Sequence, residues 1–446
     1  MIRIYDTRMH KKVDLETLEH GKVKMYVCGP TVYNYIHIGN ARTFISFDMI
    51  RRYLEWRKFE VIFVQNITDV DDKIINRAKE LGIPERRLTD EIIEKFRNLT
   101  DDVGSLQPDI TPRPTEYMDK IISYVDDLVN NGSAYKADGD VYFRVASVPT
   151  YGELSGNTPE RLISGARIEV NSQKESPIDF ALWKKTEEGI KWETPFGEGR
   201  PGWHTECCVM ISSIFHDNGG YIDIHGGGFD LKFPHHENEI AQSRAHNHNG
   251  LAKYWLHNGF INIDNEKMSK SLGNVLLAKD VVKEYGGIAF RLMVLNTHYR
   301  APLTFSAETI LEAQKTLVKI QTAYKQAEVA LQLADVDLNS LSMGNQDKFY
   351  DELCNDLNTP NAIAELLAEI KRLNQALRTN PLDTANLGEA FANVRDYLDV
   401  LGIRVKETPL NEEDKSLYRA YVAAKKEKDF AKSDELRAKL IEKGIL

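Results

Sequence analysis

Apolar and polar residues alternate at Val23, Met25 and Val27, and this period of two predicts a strand that Gly29 and Pro30 bring to an end. From about Asn40 the rhythm lengthens, and Phe44, Phe47, Ile50 and Leu54 fall on one face of a helix. The run VIFVQNI after Glu60 is apolar nearly throughout, as a strand buried on both faces is. Strand, helix and buried strand make a βαβ unit, which implies a doubly wound parallel sheet with ligands beyond the carboxyl ends of its strands. The loop from Cys28 to Asn40 lies at that edge. It holds neither GxGxxG nor GxxxxGK[ST], which excludes a dinucleotide fingerprint and a P-loop.

Between 112 and 200 the texture changes. A helix from Glu116 to Asn130 leads to Gly132, and short strand-like pieces such as DVYFRV from Asp140 follow among Gly, Pro and Ser. This predicts an inserted α+β subdomain. Sheet-like sequence resumes from Ile211 to Ile224 and from Tyr254 to Ile263, so the parallel sheet is split by the insertion. After 305 strand signals cease, and helical spacing runs through 306–335, 346–378 and 384–401, with Asn380 and Pro381 at one turn. A polar gap from Lys406 to Asn411 precedes a last helical pair ending at Gly444. The expected divisions are 1–111 and 201–265 for the split sheet domain, 112–200 for the insertion, 266–305 for a loop region, 306–402 for a helical bundle and 403–446 for a helical tail.

With 446 residues, 28% of them charged, the chain is expected to be soluble and to form several domains. Four cysteines are too few for a disulfide framework, which favours a reducing, cytoplasmic setting. The opening MIRIYDTRMHKK lacks the apolar stretch of a secretory signal, and no membrane partner is expected. The net charge of -10 gives no overall nucleic-acid footprint. By region the picture differs: 401–446 hold eleven Lys/Arg and nine Asp/Glu, a net +2, which leaves -12 for the rest. Lys425, Lys426, Lys428 and Lys432 cluster in this tail.

Candidate chemistry concentrates elsewhere. Eight of the twelve histidines lie between His204 and His257, together with Cys207 and Cys208. In HHENE, His235 and Glu239 are four apart, so a helix would project both from one face. Cys28, one cysteine of the 207/208 pair, a histidine and Glu239 would form a mixed sulfur, nitrogen and oxygen set that suits zinc. Periodicity does not choose Cys207 over Cys208 or His235 over His236. KMSKS, Lys267 to Ser271, places two lysines three apart in a loop fit to neutralise a leaving pyrophosphate. HIGN, His37 to Asn40, opens the first helix, where free amides favour anions; a simple cap by Asn40 is the bland alternative. Gly39 would leave room for a nucleotide. Gly226, Gly227 and Gly228 read as a turn, or as space for a base or ribose with Asp230 as acceptor.

These motifs resemble the class I aminoacyl-tRNA synthetases, and among them the cysteinyl-tRNA synthetase family. HIGN is similar to that class's HIGH signature, with Asn40 in the last place, and KMSKS matches its second signature. YVCGPTVYNYIHIGNAR, NITDVDDKII, RPGWHTEC, DIHGGGFDLKFPHHENEIAQS, EKMSKSLGN and DLNTPNAIAEL resemble the family's blocks, in order, from about residue 2 to 440. The resemblance implies one Zn2+ held by Cys28, Cys207, His235 and Glu239. It implies an amino-acid pocket walled by Trp203 with Cys28, Thr68 and His225 beside it. His37, Asn40, Gly227, Asp230, Lys267 and Lys270 match positions that handle ATP, brought with Mg2+. L-cysteine, ATP and tRNA(Cys) are the implied partners of a monomeric enzyme. The implied reaction is attack of the cysteine carboxylate on the α-phosphate, then transfer of the cysteinyl group to a ribose hydroxyl at the tRNA 3′ end. Zinc's preference for a soft thiolate would exclude serine, with the substrate sulfur as a further ligand. The resemblance also implies stem contacts for 266–305 and anticodon contacts for 403–446. A ligase joining cysteine to an amino sugar shares the catalytic blocks, but the helical region and basic tail favour tRNA. A non-catalytic tRNA-binding descendant would not need both signatures, and a metallohydrolase has no use for KMSKS.

Overall fold

The computed structural model describes residues 1–165, 173–264, 266–268 and 273–446. Its central sheet has four parallel strands in the order Ala252–Asn258, Ile222–Gly228, Lys22–Val27, Glu60–Gln65. The chain runs outward from the second pair to one edge and returns to the other, so the order reverses between Lys22–Val27 and Ile222–Gly228. At such a switch point the loops leave in opposite directions and open a crevice. The crevice is therefore flanked by Cys28 and by the Gly226–Gly228 end of the neighbouring strand.

The helix Ile38–Trp56 connects Lys22–Val27 to Glu60–Gln65. Its predicted apolar face is buried, but so are Arg42, Asp48 and Arg51 on other sides. Asp48 is held by Arg52 at 2.9 Å and by the Leu106 amide at 2.7 Å, while Arg51 reaches Asp109 at 2.9 Å. Buried charges of this kind persist because each finds a partner. The insertion carries a helix, Met118–Asn130, and an antiparallel sheet of Ala134–Ala137, Asp140–Phe143, Phe180–Lys185 and Gly199–Pro201. Tyr124, Val125, Leu128, Phe143, Trp183 and Met210 belong to one continuous core there.

The described residues divide into two compact units, Met1–Gly287 with Tyr299–Ser306, and Ile288–His298 with Ala307–Leu446. The second is helical throughout. Ala307–Leu333, Asp347–Cys354, Thr359–Ala376 and Thr384–Leu401 are followed by the pair Glu412–Lys426 and Phe430–Glu442. This is the expected class: a split, doubly wound parallel sheet, an α+β insertion and a helical region. No described helix is long and apolar enough to cross a membrane. Two local readings change. Ile211 belongs to the helix Trp203–Ile214 and not to a strand. The segment 346–378 is two helices, parted where Asp356 and Leu357 take φ of 65° and 58° and Asn358 caps the next helix.

Candidate metal centre and nucleotide site

Cys28 follows the last paired residue of its strand, and its amide donates to Gly226 O at 3.1 Å. The sheet ladder thereby fixes the thiol at the crevice. Cys207 sits one turn into Trp203–Ile214, and His235 and Glu239 occupy successive turns of His235–His246. Although that second helix is mostly polar in sequence, His235 through Ser243 are all buried. The helix is buried because its polar side chains meet one another and the strand ends.

Cys28 Sγ lies 3.8 Å from Cys207 Sγ and 3.9 Å from Glu239 Oε1. His235 Nε2 is 3.8 Å from Cys207 Sγ and 2.9 Å from Glu239 Oε1. All four cysteines of the chain are free thiols. Two sulfurs each about 2.3 Å from a tetrahedral zinc lie about 3.8 Å apart, so this pair has the spacing of metal ligands. The four donor atoms fit within 4.8 Å of one another. A second set within the same limit replaces Cys207 and His235 by His225 and His236. His236 Nε2 is 3.4 Å from Cys28 Sγ, and His225 Nε2 is 2.7 Å from Glu239 Oε2. Cys28 and Glu239 thus stand at the centre of six donors.

The electrostatics are those of ligands crowded without solvent. Burial pushes the Cys28 thiol well above its usual range, with Cys207 adding to the rise. The Cys28 hydrogen bond lowers Cys207 to about 6, against burial. Burial opposes ionisation of Glu239, yet the charges of His235 and His225 hold it well below the carboxylate range. Burial likewise opposes charge on His235, but Glu239 and Cys207 raise it to about 10. Trp203 stacks on His235 with ring centroids 4.1 Å apart, and a cavity of about 510 Å³ opens against Trp203, His204 and Asp71. Thr68 is tied to the segment that follows Cys28, through the Val32 amide and Pro30 O, and its hydroxyl donates to Glu206 Oε2 at 3.3 Å.

Further along the connection that leaves Cys28, His37 is the helix cap, and its Nδ1 accepts from the Asn40 amide at 3.2 Å. Residues 14–315 match the family model for the class I (C) tRNA synthetase catalytic domain, and residues 348–406 match a DALR domain. A cysteine–tRNA ligase of Staphylococcus saprophyticus is 46% identical over 100% of this chain and 97% of its own length. One of Oceanobacillus iheyensis is 47% identical with the same coverage. The chain belongs to the cysteine–tRNA ligase family. Among solved structures, Mycobacterium tuberculosis methionyl-tRNA synthetase with methionyl-adenylate aligns with a TM-score of 0.64 over 86% of this chain and 91% of that one. At 14% identity this likeness shows the shared fold.

In this member of the ligase family the expected site residues fall as follows. Cys28, Cys207, His235 and Glu239 are brought together, with Trp203 and Thr68 adjacent. His225 is fully buried behind Glu239 and stacked on Trp255, so it supports the carboxylate from inside. The cap is His37 and not Asn40, which lies in the first turn. The space beside Gly39 is taken by the His37 ring and the Met268 methyl, each within 3.1 Å of where a β-carbon would stand. The three glycines are the end of a strand and not a turn. Gly226 makes way for Phe47 and Gly227 for His236 and Leu231, while Asp230 is exposed beyond them. Lys267 ends the short strand Glu266–Lys267, and Lys270 lies outside the described residues. Sequence reading passed over Glu206, whose position beside Thr68 no periodicity signals.

Proposed function

We propose that the protein charges tRNA with cysteine in two steps, activation by ATP and transfer to the tRNA 3′ end. The observation that carries this reading is a two-sulfur donor cluster at Cys28 followed, in the same strand-to-helix connection, by a HIGN helix cap. The full-length likeness to cysteine–tRNA ligases and the DALR match support tRNA as acceptor. Cys28, Cys207, His235 and Glu239 would hold Zn2+, the set with both thiolates being the softer of the two donor sets. Zinc bound there would supply a preference for a thiolate over the hydroxyl of serine, a pair that shape alone separates by only about 100-fold.

The chain's own groups do the rest. Trp203 walls the amino-acid pocket, and His225 fixes Glu239 from behind. Thr68 offers a hydroxyl to the same pocket. His37, through the helix end it caps, with Asn40, Gly227 and Asp230, would receive ATP and its Mg2+. Lys267 and Lys270 would neutralise the departing pyrophosphate. Neither step needs a protein nucleophile, so positioning and charge stabilisation carry the catalysis. The test is cysteine-dependent exchange of pyrophosphate into ATP, followed by charging of tRNA. Exchange with cysteine and charged tRNA are expected; absence of cysteine-dependent exchange would overturn the reading.

A further inference from the structure

Among the described residues Glu206 is a buried acid with no ion-pair partner; the opposing charge that reaches it is that of His235, a member of the donor cluster. The Glu206 side chain is 1% exposed and takes a single hydrogen bond, from the Thr68 hydroxyl to Oε2 at 3.3 Å. That hydroxyl is itself oriented by Asn66, whose Nδ2 donates to it at 3.3 Å, and Asn66 is pinned by the Gly29 amide at 2.8 Å. Oε1 accepts no hydrogen bond among the described residues. The neighbouring acids are already engaged. Asp69 accepts from the Thr115 hydroxyl at 2.6 Å, and Asp71 caps the helix Asp72–Leu81 through the Lys73 amide at 2.9 Å. A buried polar atom left open in this way is completed by a donor from outside the fold.

The helix supplies the direction. Trp203, Glu206 and Cys207 are spaced at i, i+3 and i+4 and share a face. Cys207 faces the donor cluster, Trp203 stacks on His235, and Glu206 meets Thr68, which is bonded to the segment that follows Cys28. In cysteine only two carbons separate the sulfur from the amine. A sulfur at the cluster therefore leaves the amine within reach of the residue next to Cys207.

We propose that Glu206, presented by Thr68, receives the α-ammonium group of the amino-acid substrate. The inference rests on the reading that cysteine is activated here, and it adds a second test of the substrate to the one made at sulfur. A thiol acid without an amine would satisfy the cluster and leave Glu206 unpaired, and so be rejected.

The experiment compares binding of L-cysteine and 3-mercaptopropionate by calorimetry without ATP, in zinc-replete wild type and Glu206→Gln. Metal content and the KM values for cysteine and ATP in pyrophosphate exchange are measured alongside. The wild type is expected to prefer cysteine, and E206Q to lose that preference through a 10- to 100-fold weaker grip on cysteine, about what one charged hydrogen bond supplies. Binding of 3-mercaptopropionate, metal content and KM for ATP should stay unchanged. Retained preference in E206Q, or equal weakening of both ligands, would overturn the proposal. Should E206Q not fold, Glu206→Asp, which withdraws the charge by one methylene, is expected to reduce the preference, and full preference would overturn the proposal. A wild type without cysteine-dependent exchange would instead sink the functional reading.

Discussion

Arg42 offers a measurable test of how the two signature regions are tied together. It lies one turn into the helix that His37 caps and is fully buried. Its guanidinium donates to Phe260 O at 2.7 Å, Tyr299 O at 3.1 Å and Ala301 O at 2.6 Å. Phe260 leads into the strand Ile261–Ile263, which pairs with Glu266–Lys267 on one side and Leu303–Phe305 on the other. One cation thus clasps the platform of the KMSKS segment to the HIGN helix. Burial lowers Arg42 to about 10, so it remains charged at neutral pH. Hydrogen bonds to a charged group are worth about 1.5–3 kcal/mol each, but three on one side chain are not additive. Arg42→Met keeps the length but removes all three bonds and leaves Ala301 O without this donor, while Phe260 O keeps the Leu303 amide and Tyr299 O the Gly259 amide; it is expected to cost roughly 2–4 kcal/mol. Arg42→Lys keeps the charge without the fork and should cost about half of that. All five tryptophans lie between Trp56 and Trp255, so urea unfolding followed by tryptophan fluorescence reports on the sheet-containing unit alone. A loss below about 1 kcal/mol in Arg42→Met would refute the reasoning.

Three further outcomes follow from packing and charge. Gly226→Ala would place a β-carbon 2.2 Å from Phe47 Cε1; it should cost about 1–3 kcal/mol and lower metal content, since Gly226 O holds the Cys28 amide, and Phe47→Leu in the same chain should restore part of both. His257 is depressed to about 3 by burial, so the unfolded chain binds a proton that the folded one refuses between about pH 3 and 6.5. Stability should therefore fall as pH drops below 6.5, by about 1.4 kcal/mol per unit for this group, and His257→Gln should flatten the slope of urea midpoints between pH 7 and 5. Adding zinc to metal-stripped protein at neutral pH should release roughly two protons, from the Cys28 thiol and the His235 imidazolium, read by an indicator dye in weak buffer; no release would count against this donor set.

The sheet was legible because its strands are simple. Val23, Met25 and Val27 alternate and end at Gly29 and Pro30, and VIFVQNI is apolar nearly throughout. Where burial comes from all sides, periodicity fails. The sheet-like stretch expected from Ile211 to Ile224 starts inside a helix, because Val209, Met210 and Ile211 are apolar without a face. His235–His246 carries no apolar face to announce its burial, which only the assembled cluster explains. The break after Cys354 was hidden because the apolar spacing runs on across it. Its cue was NTP, an asparagine cap followed by proline in the first helical turn. In the site, residue types pointed to a metal, but the choice among neighbouring cysteines and histidines came from resemblance. Geometry separates Cys207 from Cys208, which hydrogen-bonds to the backbone carbonyls of His204 and Glu239. It also reveals two overlapping donor sets. Glu206 escaped notice because a single acid in a helix carries no sequence signal of its partners.

The central claim is that a metal at Cys28, Cys207, His235 and Glu239 selects the thiol of the substrate. The most direct measurement is pyrophosphate exchange with cysteine and with serine, run on zinc-replete and metal-stripped enzyme of known metal content. The account expects the cysteine preference to be large with zinc and to collapse toward the roughly 100-fold that shape provides once zinc is removed. Undiminished rejection of serine by the stripped enzyme would contradict it.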